Sequence, residues 1–160
     1  MTETTGRRLE LYLRDETRGR SGEQQTAVRG RVVDLAATPL VNAVETYDWP
    51  RKIAIDGTGP TDDRAREAFN AFSRWARERD ARIYPAFGTR DCFDRDTGEQ
   101  YTALVLPVMA LAVYENDVLE AVYPHRDGER VVTVFDGLAD IETDGRSTPD
   151  DEDRRPVPAG

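Results

Sequence analysis

The longest apolar stretch of the chain is residues 101–114, YTALVLPVMALAVY, which contains no charged residue. It is too short to cross a bilayer as a helix, which needs about 20 apolar residues. Its richness in Val, Leu and Tyr, and the polar segments at both ends, predict a strand buried on both faces in the middle of a sheet. Pro107 interrupts the run and cannot donate to a sheet ladder, so we expect a bulge or a bend there.

Residues 8–14 alternate strictly between apolar and polar positions. Leu9, Leu11 and Leu13 fall on one side, and Glu10, Tyr12 and Arg14 on the other. This period of two predicts a half-buried strand. Further segments rich in β-branched and aromatic residues are predicted as strands: residues 41–49 (extended past Pro50 by 53–55), 82–93, 118–123 and 130–135. Residues 115–117 and 124–129 are predicted turns.

Two longer segments have the 3.6-residue period of an amphipathic helix. The first covers residues 23–38, and Pro39 ends it because the residue before a proline leaves the helical region. The second covers residues 62–79, with Thr61 as its N-cap. Its apolar stripe is the clearest in the chain: Ala65, Ala68, Phe69, Phe72, Trp75 and Ala76. A last short helix is predicted from a cap at Asp136 to Ile141.

The element order β-α-β-α-β-β-β-β-α predicts an α+β fold. We expect a mostly antiparallel sheet of five to six strands with the two main helices on one face, a two-layer sandwich. Residues 1–142 are predicted to form a single domain and residues 143–160 a disordered acidic tail. A sheet with one apolar face left open usually has a partner, so we expect a homodimer.

The chain is strongly acidic, and almost all of its basic residues are arginines. Asp and Glu number 31 against 22 Lys and Arg, the net charge is −9, and Lys52 is the only lysine. This composition is typical of a protein adapted to molar salt; the alternative is an ordinary acidic protein from a GC-rich genome. Because the Debye length in molar salt is about 3 Å, the net charge neither supports nor excludes DNA binding.

Few residues suggest chemistry, and we predict a non-catalytic protein without cofactor or metal. Cys92 is the only cysteine and His125 the only histidine, so an intrachain disulfide and a cysteine zinc cage are excluded. We interpret Cys92 as a half-buried structural thiol and His125 as a solvated turn residue. Residues 94–99, DRDTGE, resemble the start of a calcium loop but lack its glycine at position six and glutamate at position twelve. We expect a connector there, with Gly98 at positive φ.

The outer face of the second helix carries the candidate DNA-binding residues Arg66, Asn70, Arg74 and Arg77. Arginine and asparagine are the side chains that read guanine and adenine edges. The alternative is a solvated face with salt bridges, because Asp62–Arg66 and Arg74–Glu78 are spaced i,i+4.

A helix-turn-helix motif has only one candidate location, residues 23–49, with its turn at 37–40. The segment after that turn, VNAVETYDW, is β-branched and aromatic and ends at Pro50. The pattern favours a strand over a recognition helix at residues 41–49.

The runs TGEQYTALVLPVMALAVYEND, WPRKI and VVTVFDGLADIE resemble a family of small haloarchaeal proteins commonly labelled "helix-turn-helix domain". The resemblance covers about residues 8–142. It implies a cytoplasmic halophile protein with a role in transcription, and the chain has neither an apolar signal region nor a membrane span. Our hypothesis from the sequence is a DNA-associated or transcription-linked regulator; the alternative is a protein-interaction or ligand-sensing module without DNA binding.

Overall fold

The computed structural model describes residues 6–84 and 86–146. The predicted α+β class is confirmed. The described residues form three helices: α1 (Gly19–Ala36), α2 (Pro60–Glu78) and α3 (Val134–Arg146). Nine strands accompany them in the same part of the chain: β1 (Arg7–Arg14), β2 (Ala43–Trp49), β3 (Lys52–Ala54), β4 (Gly88–Phe93), β5 (Gln100–Val105), β6 (Met109–Glu115), β7 (Val118–Tyr123), β8 (His125–Asp127) and β9 (Arg130–Val132).

The described strands form three sheets rather than the single sheet predicted. The largest has the order β2-β1-β6-β7, the second has the order β3-β5-β4, and β8 pairs with β9. Of the strand pairs in these sheets only β1 and β2 are parallel, so the prediction of mostly antiparallel pairing is confirmed. The β6–β7 turn has Asn116 and Asp117 at φ 54° and 70°, as a two-residue hairpin turn requires.

Helices cover both faces of the four-stranded sheet, so the prediction of helices on one face is wrong. Leu9, Leu11 and Leu13 of β1 pack in a cluster with the apolar residues of α1 and α3. Tyr12, on the opposite face, packs in a second cluster with the apolar residues of α2. The open apolar sheet face from which we expected a homodimer is therefore not present in the described residues.

The apolar run 101–114 is not one central strand but two strands in different sheets. Pro107 lies between β5 and β6, and the backbone around it bonds to new partners. The Leu106 N–H donates to the Arg51 carbonyl (2.9 Å), and the Arg14 N–H to the Val108 carbonyl (2.9 Å). Leu106 is buried as expected, whereas Val108 is only half-buried. The proline thus moves the chain from one sheet to the other, instead of bending a single strand.

Two other predicted strands have different boundaries in the structure. Only the second half of the predicted strand 82–93 is β4; Ile83 and Phe87 are buried in the turn before it, and Pro85 lies outside the described residues. The predicted strand 130–135 ends at Val132, because Thr133 caps α3.

Thr133 rather than Asp136 is the N-cap of α3. The Thr133 hydroxyl accepts from the Asp136 N–H (3.1 Å), while the Asp136 carboxylate accepts from the Thr133 N–H (2.9 Å). This reciprocal pair is a capping box. The helix continues to Arg146, past the predicted end at Ile141 and into the predicted tail, and residues 147–160 lie outside the described residues.

The substitution Gly→Ala is expected to have opposite effects in α1 and α3. A Cβ on Gly30 would have no neighbouring atom of the described residues within 4 Å, so Gly30→Ala should stabilise by about 1 kcal/mol through helix propensity. A Cβ on Gly137 would lie 2.5 Å from the buried ring of Tyr123, so Gly137→Ala should destabilise by overpacking, which costs about 1–3 kcal/mol. Urea unfolding of both variants checks the signs. Stabilisation by both substitutions would contradict the packing of α3 on Tyr123.

Candidate functional site

Helix α2 places the predicted DNA-binding residues on the side opposite its core contacts. Ala65, Ala68, Phe72, Trp75 and Ala76 are buried against the sheets, as the apolar stripe predicted. Asn70, Arg74 and Arg77 are exposed, and their spacing of four and three residues keeps them on one side of the helix. The structure therefore brings three of the four predicted residues together on an open surface.

Arg66, the fourth predicted residue, is engaged within the protein. Its guanidinium donates to the Asp63 carboxylate (2.7 Å) and to the Ile55 carbonyl (3.2 Å). These bonds attach the start of α2 to the loop after β3. Arg66 is thus a structural residue of this surface rather than a free reading group.

The alternative of a salt-bridged face fails for the two arginines at the end of α2. The predicted partner of Arg74, Glu78, contacts Arg79 instead (3.8 Å). Within the described part of the chain, Arg74 and Arg77 have no carboxylate oxygen within 4 Å. Two guanidinium groups are therefore available to an external partner.

The charges of α2 are arranged unlike those of a recognition helix that enters a groove by its first turn. Asp62 and Asp63 occupy that first turn and would repel phosphates. Arg74 and Arg77 lie in the second half, so the basic end of the helix is its C-terminal end. Any contact of α2 with DNA would be made through this half.

The segment that a helix-turn-helix would need as its recognition helix is a strand. β2 pairs in parallel with β1 from Arg8↔Ala43 to Arg14↔Trp49. Between residues 6 and 146, with residue 85 set aside, strands separate every pair of successive helices. The prediction of a strand at residues 41–49 is confirmed.

Comparison with known proteins gave one finding. Residues 1–146 match the model of a family described as Helix-turn-helix domain. The chain belongs to this family. No curated protein and no solved structure matched. The description of this family suggests a DNA-binding regulator. The motif itself has two adjacent helices. In the described residues of this chain, α1 is followed instead by β2, a strand parallel to β1.

A second surface, which the sequence analysis missed, is a groove of about 530 Å³ between α2 and the four-stranded sheet. We call it the tyrosine groove, because Tyr12, Tyr47 and Tyr114 line it together with Glu10 and Arg64. The Arg64 guanidinium lies 4.1 Å from the centre of the Tyr47 ring. These residues come from three strands and a helix, so no spacing in the sequence could have grouped them.

Two polar groups of the tyrosine groove, Tyr12 and Glu10, are bonded to each other. The Tyr12 hydroxyl donates to the Glu10 carboxylate (2.9 Å), which also pairs with Arg8. Burial, followed by the nearby Glu10 carboxylate, raises the pKa of Tyr12. Burial likewise raises the pKa of Tyr114. The groove thus contains phenols that stay neutral at physiological pH.

The two residues considered for chemistry have structural contacts. His125 lies in β8, half-buried, with Nδ1 2.6 Å from the Val122 carbonyl and its ring 5.1 Å from that of Trp75. Our interpretation of it as a solvated turn residue was wrong. Cys92 is half-buried, as expected, and Gly98 has φ 76° in its connector, also as expected. No helix among the described residues is both long and apolar enough to span a membrane.

Proposed function

We propose that this protein is a small, non-catalytic regulator of transcription in the cytoplasm of a halophile, and that it contacts DNA through the C-terminal half of α2. The observation that carries the proposal is the pair of exposed arginines, Arg74 and Arg77, in a member of the helix-turn-helix domain family. They have no acidic partner within 4 Å in the described residues, and Asn70 lies beside them. Arginine and asparagine provide bidentate contacts to guanine and adenine.

The composition supports the halophilic setting. An excess of 31 acidic over 22 basic residues, with a single lysine, maintains a hydrated surface in molar salt. At that ionic strength repulsion between a net charge of −9 and DNA is screened beyond about 3 Å. Short-range hydrogen bonds from arginine then decide whether DNA is bound.

Replacing Arg74 and Arg77 together with Glu is expected to abolish specific DNA binding. Each lost base contact is worth about 1–3 kcal/mol, so the affinity should fall at least about tenfold. Stability in molar KCl should change by less than about 1 kcal/mol, because both side chains are exposed and salt screens the charge effect at the helix end. Genome-wide occupancy in the native host and fluorescence anisotropy in molar KCl provide the measurements. High salt is essential, since counterion release in dilute salt produces weak binding by any arginine cluster.

The matched control is the double variant Arg29→Glu and Arg95→Glu, which changes the net charge equally at two exposed positions outside α2. It should retain specific binding. Equal loss in both double variants would mean that net charge, not the α2 surface, is responsible. Absence of any enriched site for the wild type would remove the proposal.

The tyrosine groove favours a second candidate function, a ligand-sensing or protein-interaction module without DNA binding. Its volume of about 530 Å³ lies within the range of small-molecule sites. Arg64 lies over the Tyr47 ring, so the groove places a cation beside the tyrosine side chains that line it. This candidate would replace the first if the wild type shows no DNA occupancy.

A further inference from the structure

Four basic side chains converge on one cavity of this acidic protein. The cavity has a volume of about 350 Å³ and is lined by Arg14, Arg51, Lys52, Arg90 and Val105. We call it the basic cavity. None of the described carboxylates lines it, although the whole chain carries a net charge of −9. The folding of the chain, and not its overall composition, therefore produces this local positive charge.

The passage of the chain from one sheet to the other assembles the basic cavity. In the second sheet, Lys52 of β3 and Gly88 of β4 both oppose Val105 of β5, so the two outer strands flank it. Arg14, at the end of β1, reaches the same place because its N–H bonds to the Val108 carbonyl beyond Pro107. The cations therefore come from separate segments of the chain.

Nothing in the described structure neutralises these cations. Arg14, Arg51, Lys52 and Arg90 have no carboxylate oxygen within 4 Å among the described residues. The Arg14 guanidinium donates to the Leu106 carbonyl, but its Nε is buried without an acceptor from the described residues. Burial and the nearby Arg51 lower the pKa of Arg14. An anion in the cavity would offset the repulsion between these cations and would provide an acceptor for the Arg14 Nε–H.

We propose that the basic cavity binds the phosphate groups of a small oligophosphate ester, such as a nucleoside diphosphate. Three guanidinium groups provide planar pairs of donors for phosphate oxygens, and the Lys52 ammonium adds a compact charge. Four formal positive charges match the three or four negative charges of a di- or triphosphate. This proposal does not depend on DNA binding, and it adds a ligand by which a regulator could be controlled.

A neighbouring cavity provides room for the rest of such a ligand. It has a volume of about 570 Å³ and shares Arg14 and Arg51 with the basic cavity. Its remaining lining is largely polar and includes Asp15, Glu16, Thr17 and Arg18. Carboxylates and a hydroxyl suit the hydroxyl groups of a sugar. The basic cavity, with a volume of about 350 Å³, has room for one oligophosphate group rather than for a run of nucleotides, which favours a small ligand over a nucleic-acid backbone.

The test is calorimetric titration with pyrophosphate and with ADP at a fixed KCl concentration. The variant is Arg51→Gln with Arg90→Gln, two exposed residues whose replacement leaves the core intact. The wild type should bind, and the double variant should bind at least about tenfold more weakly, since charge-assisted bonds are lost. The control, Arg29→Gln with Arg95→Gln, loses the same charge elsewhere and should bind like the wild type.

Cys92 provides a second, local measurement. Its Sγ lies 3.3 Å from the Lys52 Nζ, so a ligand in the basic cavity should slow alkylation of this single cysteine by iodoacetamide. Protection by ADP in the wild type, but not in the Arg51→Gln, Arg90→Gln variant, is the expected result. The absence of both binding heat and protection at millimolar ADP would overturn the proposal. Equal weakening of ADP binding in the control variant would overturn it as well.

A parallel titration with duplex DNA separates the two proposals. Protection of Cys92 by DNA but not by ADP would make the basic cavity a backbone contact and overturn the oligophosphate proposal. Binding of ADP by a wild type that shows no DNA occupancy would support the oligophosphate proposal while the DNA proposal fails. The Arg51→Gln, Arg90→Gln variant is expected to retain DNA binding through α2.

Discussion

Replacing Phe72 with alanine is expected to lower the free energy of unfolding by about 3–5 kcal/mol, as removal of a buried aromatic ring does. Phe72 lies at the centre of α2 and has no solvent exposure. Its ring makes edge contacts with Tyr12 (centroids 5.9 Å apart) and Phe87 (5.8 Å). The cavity left by alanine would lie among residues of α2, the four-stranded sheet and the turn before β4, so all three lose packing. Urea unfolding followed by circular dichroism measures the loss.

The control for this substitution is Phe93→Ala, the same change at a ring that is 65% exposed. It is expected to change stability by less than about 0.5 kcal/mol. Equal losses in the two variants would show that α2 does not pack on the sheet as described. Because Arg74 and Arg77 lie on the other side of α2 from Phe72, burial of this ring keeps both arginines exposed to solvent.

The sequence predicted α2 well because the relevant signal is local. Ala65, Ala68, Phe72, Trp75 and Ala76 repeat at helical spacing, and all five are buried. Periodicity of this kind identifies the buried side of a helix and, by exclusion, its exposed side. The exposure of Asn70, Arg74 and Arg77 follows from the same pattern, and so this part of the candidate site could be predicted.

The wrong prediction that helices cover only one face of the sheet can be traced to Tyr12. The alternation at residues 8–14 places Tyr12 among polar side chains, which predicts exposure. Tyr12 is only 4% exposed, because its ring stacks on Trp49 (4.7 Å) while its hydroxyl bonds to Glu10. A tyrosine has an apolar ring and a polar hydroxyl. A pattern that classes each residue only as apolar or polar therefore cannot predict whether a tyrosine is buried. Interpreting Tyr12 as polar left the second face of the sheet without a predicted covering helix.

The basic cavity could not be predicted for a different reason. Hydrophobicity shows that residues 101–114 are buried but not that Pro107 divides them between two sheets. Only this division brings Arg14 to the strands that carry Lys52 and Arg90. Long-range pairing is not encoded in the spacing of residues along the chain, so sites built from several strands appear only in the folded structure.

The stability of the fold is expected to decrease steeply above pH 10, with Tyr12 as a principal cause. The unfolded phenol ionises near a pKa of 10.0, whereas burial and the Glu10 carboxylate raise the pKa of Tyr12 in the folded protein. Above pH 10 the unfolded state therefore binds fewer protons than the folded state. The stability is fully present below pH 10, and each further pH unit is expected to remove about 1.4 kcal/mol for this group. The raised pKa values of Tyr47 and Tyr114 act in the same direction.

Tyr12→Phe tests this linkage, because it keeps the ring stacking and removes the ionising hydroxyl. Urea unfolding at pH 9, 10 and 11 should give a slope of stability against pH that is shallower than that of the wild type by about 1.4 kcal/mol per unit above pH 10. At neutral pH the variant should lose only the hydrogen bond to Glu10, worth about 1.5–3 kcal/mol for a charged acceptor. Tyr84→Phe, at a ring that is 65% exposed, is the control and should leave the slope unchanged. An unchanged slope in Tyr12→Phe would mean that this phenol ionises freely, and the tyrosine groove would then be open to water at its base.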